Sequence, residues 1–163
     1  MTIRPIVFDI RAALLAKHAQ HVVLIHFPIA LFLTGIAFDF AAHWAKRAKL
    51  ENKTPASATL ASVAQANLLA SALFVLPAVV TGILAWQWQL EGERLKGVLL
   101  LHLVMGSISA VLIAVVGWVH LRSRRFPDAS LPIYRLPLEF MAALVVIFTG
   151  HLGGFLSGVN GPG

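Results

Sequence analysis

Residues 98–121 read VLLLHLVMGSISAVLIAVVGWVHL, a run without one Asp, Glu, Lys or Arg. About 20 such residues in a helix cross the hydrocarbon of a bilayer, because a helix satisfies its own backbone hydrogen bonds where no water can. Residues 22–42, 60–86 and 136–158 are apolar over a comparable length. Between the four runs lie Asn52-Lys53-Thr54-Pro55, Glu91-Gly92-Glu93 and Arg124-Arg125-Phe126-Pro127-Asp128, polar breaks that each hold a Gly or Pro. Short connections make neighbouring helices antiparallel, so the expected fold is all-α, an integral membrane four-helix bundle.

Composition agrees with that reading. Of 163 residues, 58% are hydrophobic and 12% charged, and the mean hydropathy is +0.81, too apolar for a soluble domain of this size. No cysteine is present, which excludes disulfides, thiolate-held iron–sulfur clusters, thioether-attached haem and cysteine nucleophiles. The net charge of +6 sits in short clusters beside the apolar runs, where it signals topology and not nucleic-acid binding. Lys46, Arg47, Lys49, Lys53, Arg122, Arg124, Arg125 and Arg135 give the first and third loops eight of the thirteen basic residues. The positive-inside rule then places both termini on the periplasmic or exterior side.

Ahead of the first run, Ile3, Ile6, Val7, Ile10, Ala13 and Leu14 recur at helical spacing with Arg4, Arg11 and Lys17 on other faces. That pattern predicts an interfacial amphipathic helix over residues 5–18, within a segment 1–20 that precedes a membrane domain over 21–163. A cleaved signal peptide is the rival reading; the long structured lead and the presence of His26, Pro28 and Asp39 in the run oppose it.

Three histidines, His26, His102 and His151, fall inside the runs, and alternating helix direction brings all three toward the outer face. Imidazole in hydrocarbon is costly and usually faces a bundle interior, a cavity or a cofactor. Pro28 follows His26 and loosens the turn before it. His102 shares a stripe with Gly106 and Ser107, while Gly150, Gly153 and Gly154 surround His151, leaving room for a flat ligand or a neighbouring helix. The cluster therefore predicts haem b, with His26 and His102 as iron ligands and Gly106, Gly150 and Gly154 beside the macrocycle. Plain helix packing and a bare metal ion are the competing readings.

A second pair, His43 and His120, lies 17 and 18 residues from the first, about 26 Å along each helix. His120 returns to the stripe of His102, whereas His43 falls about 100° from that of His26, so a second haem fits one helix and not the other. Trp44 and Trp118 beside them describe an interfacial aromatic belt. Asp39, a carboxylate well inside a span, should be neutral or paired with His43, His120 or an arginine of the third loop. Glu139 reads as an interfacial charge. Trp86 and Trp88 are belt anchors or the wall of a quinone or haem pocket.

His21-Val22-Val23-Leu24-Ile25-His26-Phe27-Pro28-Ile29-Ala30, followed by Phe38-Asp39, Thr81-Gly82, His102 with Gly106, and Thr149-Gly150-His151-Leu152-Gly153-Gly154, resembles the bacterial membrane family called domain of unknown function 2231. The resemblance covers all four runs. Similar four-helix modules occur joined to c-type cytochrome domains, which implies a role in membrane electron transfer. This chain has no Cys-x-x-Cys-His of its own, so electrons would pass to a separate partner. His21 lies at the membrane edge and suits an axial role less than His26.

The leading expectation is a b-type cytochrome-like subunit of the inner membrane, with one haem, or two, between the diagonal first and third helices. His151 would bond a propionate or quinone, or replace His26. Such a subunit would exchange electrons between the quinone pool and a periplasmic redox partner, and would work within an oxidoreductase complex more than as an enzyme alone. The alternative is a structural or assembly subunit of a larger membrane complex without haem. A transporter is disfavoured, because no paired broken helices occupy corresponding halves.

Overall fold

The computed structural model describes residues 17–48, 55–89, 94–125 and 131–157. They form four helices: α1 (Lys17–Arg47), α2 (Pro55–Gln89), α3 (Gly97–Arg125) and α4 (Arg135–Leu156). Each is long and apolar enough to cross a membrane. The interfacial helix expected over residues 5–18 lies almost entirely outside the described residues.

Two helices continue through a proline, Pro28 in α1 and Pro77 in α2. Hydroxyls tie up carbonyls near both: Ser71 Oγ donates to the Pro28 carbonyl across 2.8 Å, and Thr81 Oγ1 donates to the Pro77 carbonyl across 2.9 Å. Each proline lacks the N–H that would bond the carbonyl four residues back, at Leu24 and Leu73, a loss that membrane helices tolerate.

Contacts run antiparallel around a ring. His21 at the start of α1 meets Thr81 near the end of α2, Gln65 of α2 meets the His120 backbone of α3, Ser109 of α3 meets Thr149 of α4, and Arg135 of α4 meets Asp39 of α1. Thus α1 and α3 are diagonal, as the short connections imply. Packing is most extensive between α1 and α2 and least between α1 and α4. We call the end where α1 begins and α4 finishes the upper end.

Phe32, Ile36, Leu68, Val75, Ile113, Val116, Ala142 and Val146 fill the centre. Leu73, Leu76 and Val111 are exposed outside it, which in water would be an error and in lipid is the expected surface. With no hydrophobic drive between helices in lipid, close backbone approach carries the packing. Gly35 and Gly117 supply it. A Cβ on Gly117 would stand 2.8 Å from the Ala72 Cβ, and one on Gly35 would stand 2.8 Å from Leu68 Cγ.

Ala72 Cβ cannot rotate away, so Gly117→Ala should lower unfolding free energy in detergent by about 1–3 kcal/mol, less up to about 1 kcal/mol of helix propensity gained. Gly106→Ala, whose nearest neighbour would be Thr149 Cγ2 at 3.9 Å, should be neutral or stabilising in the same denaturation assay.

Candidate functional site

The upper turns hold the three histidines singled out by spacing. Ile29 of α1 lies against Gly150 of α4, and His102 of α3 lies against Gly153 of α4, with 3.2 Å from its ring to a Cβ built there. His26, His102 and His151 therefore occupy similar depths. They do not share an interior. His26 and His151 are exposed on the outside of the bundle, and only His102 is partly covered. At about 100° per residue, His26 sits about 120° around α1 from Phe32 at the centre. That angle is why equal depth does not become convergence. His26 Nδ1 bonds the Val22 carbonyl of its own helix, and the His151 ring stands edge-on to Phe155.

The expected partners of a macrocycle are accordingly apart. Gly106 and Gly150 face Thr149 and Ile29, and the Gly154 carbonyl accepts the Ser157 hydroxyl. Phe32, Leu68, Ile113 and Val116 occupy the middle of the bundle. The matched motifs instead meet one another: the His21 ring packs on Gly82, 3.0 Å from a Cβ there, with Nδ1 3.2 Å from Thr81 Oγ1.

The lower end carries the chemistry that spacing alone did not assemble. Asp39, His120, Arg135 and Glu139 are 1%, 0%, 7% and 0% exposed. Arg135 Nε donates to Asp39 Oδ2 across 2.8 Å and Nη2 to Oδ1 across 3.4 Å, so a fork of donors meets both carboxylate oxygens. His120 Nε2 and Glu139 Oε1 are 2.9 Å apart. One ligating atom from each of Asp39, His120 and Glu139 lies within 4.8 Å of the others. Gln65 Nε2 and Ser123 Oγ both donate to the His120 carbonyl, at 2.9 and 3.0 Å, and so fix this end of α3.

Asp39 thus takes the third-loop arginine among its expected partners. Two expectations are corrected. Glu139 is not an interfacial charge: it continues the Ala142, Val146, Thr149 stripe of α4, all buried, and that periodicity was the available signal. His120 is not a belt residue or a partner of His43; it is sealed against α4 while His43, half-buried on α1, faces a groove. Trp44 and Trp118, the expected belt residues, are exposed, with the Arg122 guanidinium 5.7 Å over the Trp118 ring.

Removing one member of a buried ion pair strands the other, at about 3–5 kcal/mol. Asp39→Asn should lower stability in detergent by that amount. Asp39→Leu combined with Arg135→Leu should recover most of the loss, because the pair as a whole is near break-even against an apolar replacement.

A family model described as a predicted membrane protein, DUF2231, matches residues 17–161. No curated protein and no solved structure matches the chain. The match spans all four helices, and the chain belongs to the DUF2231 family of membrane proteins.

Proposed function

We propose that this chain is an accessory subunit of a membrane complex, and that its buried quartet holds and relays one proton at the lower edge of the bundle. Charge balance carries the reading. Arg135 is a permanent cation and neutralises Asp39. His120 and Glu139 form a second pair, neutral as a unit when they share a single proton. Losing that proton leaves a net buried anion, and adding another leaves a net buried cation, both expensive away from water. One exchangeable proton is the occupancy the cluster favours.

The geometry also lets one proton pass within the pair. His120 Nδ1 and Glu139 Oε2 are buried and have no hydrogen-bond partner among the described residues. They are the two outer atoms of a chain that runs from Nδ1 through the imidazole to Nε2, across 2.9 Å to Oε1, and on to Oε2. An imidazole accepts a proton at one nitrogen while releasing one from the other, which is how histidine serves as a shuttle. Intramembrane acids and histidines in contact are characteristic of such relays. A subunit role suits a chain whose described residues lie almost wholly within four membrane-crossing helices.

Haem-based electron transfer between quinone and a periplasmic partner is the weaker reading. The common depth of His26, His102 and His151 favours it; their different facings and the filled centre weigh against it. A reduced-minus-oxidised spectrum with a haem assay decides between them. A spectrum abolished by His102→Ala would restore the redox reading.

The proton reading is tested with the protein in lipid nanodiscs, by infrared difference spectra between two pH values. The wild type should show one titrating carboxyl tied to an imidazole signal, and Glu139→Gln should remove both. Proton exchange through the pair should slow at least about tenfold in that variant. Identical infrared titrations in the two proteins would overturn the reading.

A further inference from the structure

The scarcity of contact between α1 and α4 leaves a half-open groove of about 440 Å³ at the lower end, lined by Phe40, His43, Trp44, Arg47, Ala48 and Leu136. That volume is in the range of small-molecule sites. Phe40 and Leu136 are the sequence neighbours of Asp39 and Arg135, so the groove lies beside the ion pair that joins the same two helices. Its chemistry is divided: Phe40, Leu136 and Ala48 offer an apolar wall, while Arg47 offers positive charge and His43 a ring nitrogen for hydrogen bonding. None of the described lining residues is acidic. Trp44, exposed at this level, marks the depth where hydrocarbon meets headgroups.

We propose that this groove is a binding site for one anionic phospholipid. Its phosphate is held by the Arg47 guanidinium and the His43 imidazole, and the start of an acyl chain lies along Phe40 and Leu136. Basic pockets between membrane helices on the positively charged side bind anionic headgroups in this way. Lys46 and Arg47 in the last turn of α1 put positive charge at this end, the end that the positive-inside rule turns toward the anionic leaflet. A free phosphate would use Arg47 and His43 and leave the apolar wall unfilled; a neutral lipid would do the reverse. The site is independent of whether the quartet exchanges a proton.

The test is native mass spectrometry of the whole chain, released from a neutral detergent containing equal phosphatidylglycerol and phosphatidylcholine of one chain length. The wild type should retain one phosphatidylglycerol in preference. Arg47→Ala should cut that preference about fivefold, the effect of one cation near a lipid surface. Leu136→Trp should abolish retention by filling the groove without altering charge. Lys46→Ala, outside the lining, should cut the preference less than Arg47→Ala does, and inorganic phosphate should not displace the lipid. Equal retention of the two lipids, an equal loss in Lys46→Ala and Arg47→Ala, or displacement by inorganic phosphate would each overturn the proposal. Circular dichroism on each variant separates loss of the lipid from loss of the fold, and Arg47→Ala decides should Leu136→Trp not fold.

Discussion

Hydrocarbon offers no hydrogen bonds, and most of the described polar side chains inside this bundle are placed under that constraint. Backbone groups are spent within the four helices. Hydroxyls of Thr34, Ser107 and Thr149 return to carbonyls one turn back, and those of Ser71 and Ser109 cross to a neighbouring helix. Ionised side chains at Asp39 and Arg135 meet each other. The constraint also explains why the helix surfaces are apolar outside as well as in, since the outer face needs no polar covering.

Span number, antiparallel order and the diagonal placement of α1 and α3 could be read from the chain because they depend on length, hydropathy and short connections, which are local properties. Depth could be read as well: counting along His26, His102 and His151 places them in the same upper turns. Facing could not. A helix that is apolar all round has no stripe to say which side is interior, and residue 26 lies on the outer side of α1 while residue 39 lies on the inner side. A histidine motif therefore carried more weight in the sequence than its facing supports.

The quartet shows the reverse case. Asp39 stood out because a carboxylate inside a span demands a partner, and an arginine of the third loop was among those expected. Glu139 read as an interfacial charge because it lies four residues from a helix end, where charge is ordinary. Its burial comes from the approach of α3 and α4 at their lower end, where His120 meets it across 2.9 Å. That approach depends on side-chain size at several positions together, which no single window of sequence displays.

The ion pair between Asp39 and Arg135 joins residues 96 apart in the chain. A ribosome adds about 5–20 residues each second, so Asp39 is synthesised about 5–20 s before its counter-ion exists. During that interval the first helix has to be sheltered by something other than Arg135, such as the watery interior of the insertion machinery. The last helix then supplies the clasp: α4 brings the counter-ion of Asp39 and closes the ring.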